Sequence, residues 1–419
     1  MLVFLSDIHM TDGSSGETIK ETAFRIFTDN VQKLVDNLKP KPPEEIRLVL
    51  LGDVFDIIRS RKWLSVTDRP WDGAGPGQEK IVREILDGIL GNNKGSLGEI
   101  QKLRQWAGEM NIPFDITYVI GNHDWLINRY PACRQAVATA LGIVGGAPFP
   151  TEFFHMDYKV FARHGDVYDP YNYMGNRDSS SIGDAIVIEL LNKFPEQASK
   201  NLKSLITKGS VTQAEADLIA RQLRELDNIR PLPDAPSWVL RVIQKTQNDA
   251  ARKAIEQAWA ACVDAFFKVP FIKKQDKLLM PDIIDYLQIA LQLSSHMSKK
   301  MLEKILDLKE KWFPEDPAGG YDQHAVAEPK VRSGEASFVL YGHTHDHLII
   351  PMDQTPLPDG SNQDKIYFNT GTWRKTWNKV QFDPSNREFI GWYVLTYVAL
   401  FKASENGPYN FEVWNAALG

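Results

Sequence analysis

Cysteine is almost missing from this sequence: the 419 residues include two, Cys133 and Cys262, far apart and outside any CxxC arrangement. That excludes a disulfide framework and a thiolate zinc site, and leaves two reduced, buried thiols of a cytoplasmic protein as the expectation. Long hydrophobic runs are missing as well. None reaches the roughly 18 to 20 apolar residues that span a bilayer, and the longest, Tyr393 to Phe401, has the length of a strand. No signal peptide is expected, because the chain opens on Leu2-Val3-Phe4-Leu5, too short for an apolar h-region and without a basic flank. An excess of positive charge is also lacking. The formal net charge of −6 gives no global reason to expect nucleic acid or anionic lipid as a partner. Internal repeats and low-complexity tracts are absent.

What is present is ordinary for a globular protein, with 43% hydrophobic and 24% charged residues. The length exceeds one common domain, so a catalytic domain with a sizeable insertion is expected. Over the first 170 or so residues, short apolar runs alternate with segments of helical period. Strands are predicted at Leu2 to Leu5, Arg47 to Leu51, Ile116 to Ile120 and Tyr158 to Ala162. Between the first two, Ile19, Ala23, Ile26, Phe27, Val31, Leu34, Val35 and Leu38 recur at helical spacing, and Lys39-Pro40 stops the helix. This alternation predicts an α/β layered fold.

From about Asn176 to Lys330 strand signals vanish. A capping box at Ser210-Val211-Thr212-Gln213 leads into one amphipathic helix. A second is predicted from Ser237 through Trp259 to Phe266, and a third from Met297 to Trp312. The segment carries as many Lys and Arg as Asp and Glu, and is large enough to bury a core of its own. Strands return at Ser337 to Tyr341, Ile366 to Phe368 and Ile390 to Phe401. Residues 1–175 and 331–419 are therefore expected to form one catalytic domain, with 176–330 a helical cap inserted into it.

The chemistry concentrates in five clusters, each following a predicted strand. They are Asp7-Ile8-His9, Gly52-Asp53-Val54-Phe55-Asp56, Gly121-Asn122-His123-Asp124, His164-Gly165-Asp166 and Gly342-His343-Thr344-His345. Active sites of open α/β sheets sit at the carboxyl ends of strands. An Asp and a His one residue apart can reach a single ion where a strand breaks into a loop, and glycine permits sharp turns and close approach. Carboxylate, amide and imidazole donors without thiolate suit Mn²⁺, Fe or Zn²⁺. Each cluster alone is also an ordinary polar turn, but the five together use five of the chain's nine histidines.

This ordered set resembles the calcineurin-like metallophosphoesterase family. The resemblance covers the catalytic segments and implies a four-layer αββα sandwich with two divalent metal ions, Mn²⁺ first among the candidates. It implies that Asp7, His9 and His345 hold one ion, that Asn122, His164 and His343 hold the other, and that Asp53 bridges them. It also implies that His123 contacts phosphate and protonates the leaving oxygen, with Asp124 orienting it. Two ions roughly 3.5 to 4 Å apart can clamp the oxygens of an in-line displacement and activate a water. A histidine near its ordinary pKa can protonate an alkoxide. Ligand histidines donate their other N–H to an acceptor, for which Asp56 and Asp166 are candidates.

The expected activity is hydrolysis of a phosphate ester or anhydride. The leading substrate class is a small-molecule or lipid-linked phosphodiester or pyrophosphate. A nuclease or phosphoprotein phosphatase on the same fold is the alternative, and a non-catalytic interaction module the third reading. The first predicts no nucleic-acid partner and no integral membrane segment, and leaves the oligomeric state open. His155, His296, His324 and His347 lie outside the clusters. The segments Asp169 to Tyr173 and Asn369 to Trp373, with Arg177, are candidates to shape the site or ordinary loops.

Overall fold

Alternation along the strands divides the apolar residues between two faces, and a computed structural model shows where each face goes. The structure describes residues 1–16, 18–38, 42–230, 232–275, 320–356, 362–379, 388–407 and 410–418. Strands β1 (Leu2–Leu5), β2 (Ile46–Leu51) and β3 (Phe114–Val119) run parallel in the order β3-β2-β1. Two more strands, β4 (Glu152–His155) and β5 (Val160–Arg163), begin a second sheet. A two-residue strand, β6 (Ile229–Arg230), lies in the insertion. The chain ends with β7 (Phe338–Tyr341), β8 (His347–Pro356), β9 (Asn362–Thr370), β10 (Lys375–Lys379), β11 (Phe389–Leu400) and β12 (Phe411–Leu418). The first sheet has seven strands, with β11 antiparallel to β1, β10 and β12. The second has five, in the order β4-β5-β7-β9-β8.

Leu2, Phe4, Val49, Leu51 and Val119 of the first sheet share a core with Val160, Ala162, Phe338, Leu340 and Phe368 of the second. Their neighbours Val3, Leu5, Leu48, Leu50 and Tyr118 point the other way, as the period of two requires. There they meet helices α1 (Glu21–Asn37), α2 (Pro76–Asn92), α3 (Lys94–Glu109), α4 (Trp125–Arg129) and α5 (Pro131–Leu141). In α1 the predicted Ala23, Phe27, Val31, Leu34 and Val35 are buried, but Ile26 is exposed and Phe24, not named from the sequence, is buried in the stripe; the stop at Lys39-Pro40 lies outside the described residues. On the far side of the second sheet, Phe161, Val339, Tyr341 and Tyr367 pack on Tyr321, Ala325 and Val331. These belong to the short helices Tyr321–Ala327 and Pro329–Arg332, so sequence expected to lie in the cap belongs to a layer over this sheet.

The insertion differs from expectation in several respects. Helix α6 (Ile182–Ile186) passes through a π-helical turn, Val187–Asn192, into α7 (Lys193–Thr207), followed by α8 (Gln213–Arg224). The capping box that opens α8 is Thr212 with Glu215, because the Thr212 hydroxyl accepts from the Glu215 amide and that carboxylate caps Thr212 in return. The single helix expected from Ser237 to Phe266 is two, α9 (Ala235–Lys245) and α10 (Asp249–Phe266). They are separated because the Asn248 side chain accepts from the Ala250 and Ala251 amides and starts a new helix. A short α11 (Pro270–Gln275) follows, and the helix expected at Met297 to Trp312 lies outside the described residues.

Nor is the block all-helical or separately cored. β6 pairs in parallel with β10, joining Ile229 to Trp377 and Arg230 to Asn378. Ile182, Phe194, Trp238 and Trp259 belong to one apolar cluster with Phe24, Trp63, Trp125 and Trp373. Both cysteines are buried and unpaired. Among the described residues no helix is long and apolar enough to cross a membrane.

Candidate metal centre

Loops leaving β1, β2, β3, β5 and β7 converge where the two sheets meet. Five of the seven non-glycine residues with positive φ among those described are Asp7, His9, Asp53, His343 and His345, at φ between 49° and 70°. Left-handed backbone at such residues turns the chain sharply and carries strain of roughly 1 to 3 kcal/mol each. Glycine relieves crowding between them: a Cβ at Gly52 would collide with the His164 ring, and one at Gly121 with the Asp53 carboxylate.

Three groups of donors, all buried except the half-buried His123, are spaced so that they could hold a cation: Asp7, His9 and His345; His9, Asp53 and His123; and Asp7, Asp53 and His164. Asp53 lies between the two sets of expected ligands. Its Oδ2 is 3.3 Å from His164 Nε2 and 3.8 Å from His9 Nε2, while its Oδ1 accepts the His123 amide at 2.8 Å. Asp7 Oδ1 lies 3.3 Å from His345 Nε2 and is buried without a hydrogen-bond donor, as an oxygen built for a cation would be. Its Oδ2 accepts the His343 amide at 2.9 Å. Asn122 Oδ1 is 3.1 Å from both His164 Nε2 and His343 Nδ1. All seven expected ligand positions are therefore brought together.

The outward nitrogens fix most of the tautomers. His9 Nδ1–H donates to Asp56 Oδ2 at 2.8 Å, His164 Nδ1–H to the Leu51 carbonyl at 2.9 Å, and His343 Nε2–H to Asp169 Oδ2 at 2.9 Å. Each leaves the other nitrogen's lone pair facing the centre. Burial works against charge here, yet the charges sustain one another. The Asp53 and Asp7 carboxylates outweigh desolvation at His164 and hold it up at about 10. Desolvation likewise opposes the ionised forms of Asp7, Asp53 and Asp56, but neighbouring histidines hold each below the usual carboxylate range. Carboxylates that raise the basicity of a buried imidazole also attract divalent cations, so donor set and electrostatics both fit them.

Asp124, expected to orient His123, does something else. Its carboxylate accepts from the Gly121 and Val54 amides at 2.7 and 3.0 Å and from the Tyr118 hydroxyl, pinning the turn itself. Burial and the Asp53 charge push it up to about 7. The carboxylate on His123 is Asp56, whose Oδ1 is 2.8 Å from Nδ1. Although burial opposes it, Asp56 and Asp53 raise the pKa of His123, favouring a proton-bearing imidazole. One carboxylate thus supports a ligand, His9, through one oxygen and His123 through the other. Asp166 pairs instead with Arg177.

No family model and no curated protein matches this sequence.

Several contributors were only faintly legible. Asp169, in a loop equally readable as ordinary, supports His343, and Asn172 Oδ1 accepts from Asn122 Nδ2 at 3.3 Å. The Asn369 to Trp373 segment buttresses two ligand loops: the Thr372 hydroxyl and Trp373 amide donate to the Asp7 carbonyl, and Asn369 Nδ2 donates to the Gly342 carbonyl. Arg230 of the insertion donates from Nε to His345 Nδ1 at 3.1 Å, and nothing in the sequence signalled it. The remaining histidines stay away. His155 packs on Tyr158, His324 stacks on Tyr168 and His347 meets Asn415, while His296 is outside the described residues.

Proposed function

We propose that this chain is a metal-dependent hydrolase of phosphate esters or anhydrides, built on the four-layer αββα sandwich of the calcineurin-like metallophosphoesterases. The observation that carries the reading is the convergence of Asp7, His9, Asp53, Asn122, His164, His343 and His345 around one carboxylate, with His123 held beside them by Asp56. The layering supports it: helices cover both outer faces of two stacked sheets.

In this reading Asp7, His9, His345 and Asp53 hold one divalent ion, and Asp53, Asn122, His164 and His343 a second, with Mn²⁺, Fe or Zn²⁺ compatible. When bound, such a pair neutralises phosphoryl charge and lowers the pKa of water. His123, kept protonated by Asp56, donates its proton to the leaving oxygen. Asp56 and Asp169 hold imidazole rings in the tautomers that leave lone pairs inward. Charge balance in the insertion favours a small-molecule or lipid-linked phosphodiester or pyrophosphate over a nucleic acid.

The test is a screen of Mn²⁺-reconstituted protein against p-nitrophenyl phosphate, bis-p-nitrophenyl phosphate, a nucleotide-diphosphate sugar and single-stranded DNA. The expected outcome is hydrolysis of at least one small substrate, abolished by chelation. Two bound metals with no hydrolysis of any of the four would overturn the reading.

A further inference from the structure

Three of the four expected ligand histidines place an acceptor against their outward nitrogen; His345 places a donor there. Arg230 Nε lies 3.1 Å from His345 Nδ1, and an Nη lies 3.5 Å from its Nε2, so the guanidinium runs along the edge of the ring. Its remaining bonds go to the Asp227 and Ile229 carbonyls. Among the described residues no carboxylate lies within ion-pair distance of it, whereas most site charges have a partner.

The backbone that carries Arg230 is fixed at every step. Glu225 binds Lys375 at 2.9 Å and the Trp377 indole at 2.6 Å. Asp227 accepts from Ser15 at 3.0 Å and faces Arg59 at 3.7 Å. Asn228 Oδ1 accepts from Nε and one Nη of the buried Arg374, at 3.1 and 2.5 Å. Ile229 and Arg230 then pair with β10. Four anchors within six residues, at Glu225, Asp227, Asn228 and the Ile229–Arg230 pairing, hold a half-buried arginine at the candidate metal centre.

We infer that Arg230 binds a non-bridging oxygen of the substrate's phosphoryl group, so that the insertion supplies part of the active site. This rests on the phosphoesterase reading above. Chemistry at His345 points the same way. A neutral imidazole that gives Nε2 to a cation bears its proton on Nδ1, which can then no longer accept from Arg230. The guanidinium is thereby released toward another acceptor, and phosphoryl oxygens match its fork of donors.

The experiment titrates inorganic phosphate calorimetrically onto the Mn²⁺-loaded full chain, comparing wild type with Arg230→Ala, Arg230→Gln and Arg230→Lys, after elemental analysis of each. Arg230→Ala and Arg230→Gln are expected to keep the wild-type metal content and bind phosphate roughly 10- to 100-fold more weakly. Arg230→Lys should recover part of that loss. Gln keeps the side-chain length if Ala proves unstable. Wild-type phosphate affinity in folded, metal-loaded Gln or Ala variants overturns the inference while leaving the phosphoesterase reading intact. Loss of metal in every variant overturns it too, by making Arg230 a support for His345. A wild type that holds two metals, binds no phosphate and hydrolyses none of the screened substrates removes the underlying reading itself.

Discussion

The strand-end loops and the helical insertion both reach the candidate metal centre, but by different means. Each loop that carries expected ligands comes directly off a strand, and after β1, β2 and β7 those residues sit in sharply turned, left-handed backbone. The insertion arrives after several helices, and its hydrogen bond to His345 depends on a two-residue strand and a handful of polar anchors. Chemistry placed by strand ends is local and readable. Chemistry delivered by docking depends on tertiary contacts that leave no pattern in the sequence.

Breaking the strand-end side should have the larger effect. Asp53→Ala removes the carboxylate between the two ligand sets, and is expected to lose at least one ion by elemental analysis and bring activity to background. Two tightly held metals in that variant would dismiss Asp53 as a bridge. Next in size comes His123→Ala, which should retain both metals yet lose roughly 10² to 10⁴-fold on substrates with poor leaving groups. The loss should be smaller with p-nitrophenolate, which departs without a proton. Asp56→Asn in parallel should cost roughly 10 to 100-fold, because it disturbs His9 and His123 together. Equal losses for good and poor leaving groups would argue against His123 as the acid.

The smallest effects come from two variants inside the insertion, chosen to separate anchoring from mere stability. Asn228→Ala strips Arg374 of its acceptor and should destabilise by roughly 1 to 3 kcal/mol. Thr212→Ala removes an exposed helix cap and should cost about 1 kcal/mol. Thermal unfolding measures both. Activity at a temperature where each variant is fully folded should fall only for Asn228→Ala, whose anchor lies two residues from Arg230. If both retain full activity, docking of this segment has no bearing on the chemistry.

Much of this organisation can be read from the chain. β1 spans the predicted Leu2–Leu5, and β2 begins one residue earlier than expected, because β1 is buried throughout and β2 at every position but Arg47, with polar loops following both. β8, β10 and β12 carry weaker signals. Pro351 interrupts β8 at a register shift, and Lys375-Thr376-Trp377-Asn378-Lys379 has little apolar period. β6 has no signal, since two residues cannot show periodicity. Within the site, all seven expected ligand positions marked by residue type and spacing are brought together, but adjacency misleads about support. Asp124 follows His123 directly yet turns back to cap Gly121 and Val54, while Asp56 reaches His123 from another strand end. The insertion's helices are legible by period, but the core they share with the first sheet and its helices is not, because an apolar stripe does not name its partner.

The left-handed backbone at Asp7, His9, Asp53, His343 and His345 separates what each position needs as a link in the chain from what it needs as a donor. As links, these positions favour glycine or asparagine and resist β-branched residues. As donors, they require a carboxylate or an imidazole. Selection for thermal tolerance alone would therefore drift toward glycine there and yield sturdier, inactive proteins. Selection for turnover would hold the Asp and His identities against that drift, so a mutational library read out in both ways should show opposite preferences at these five positions.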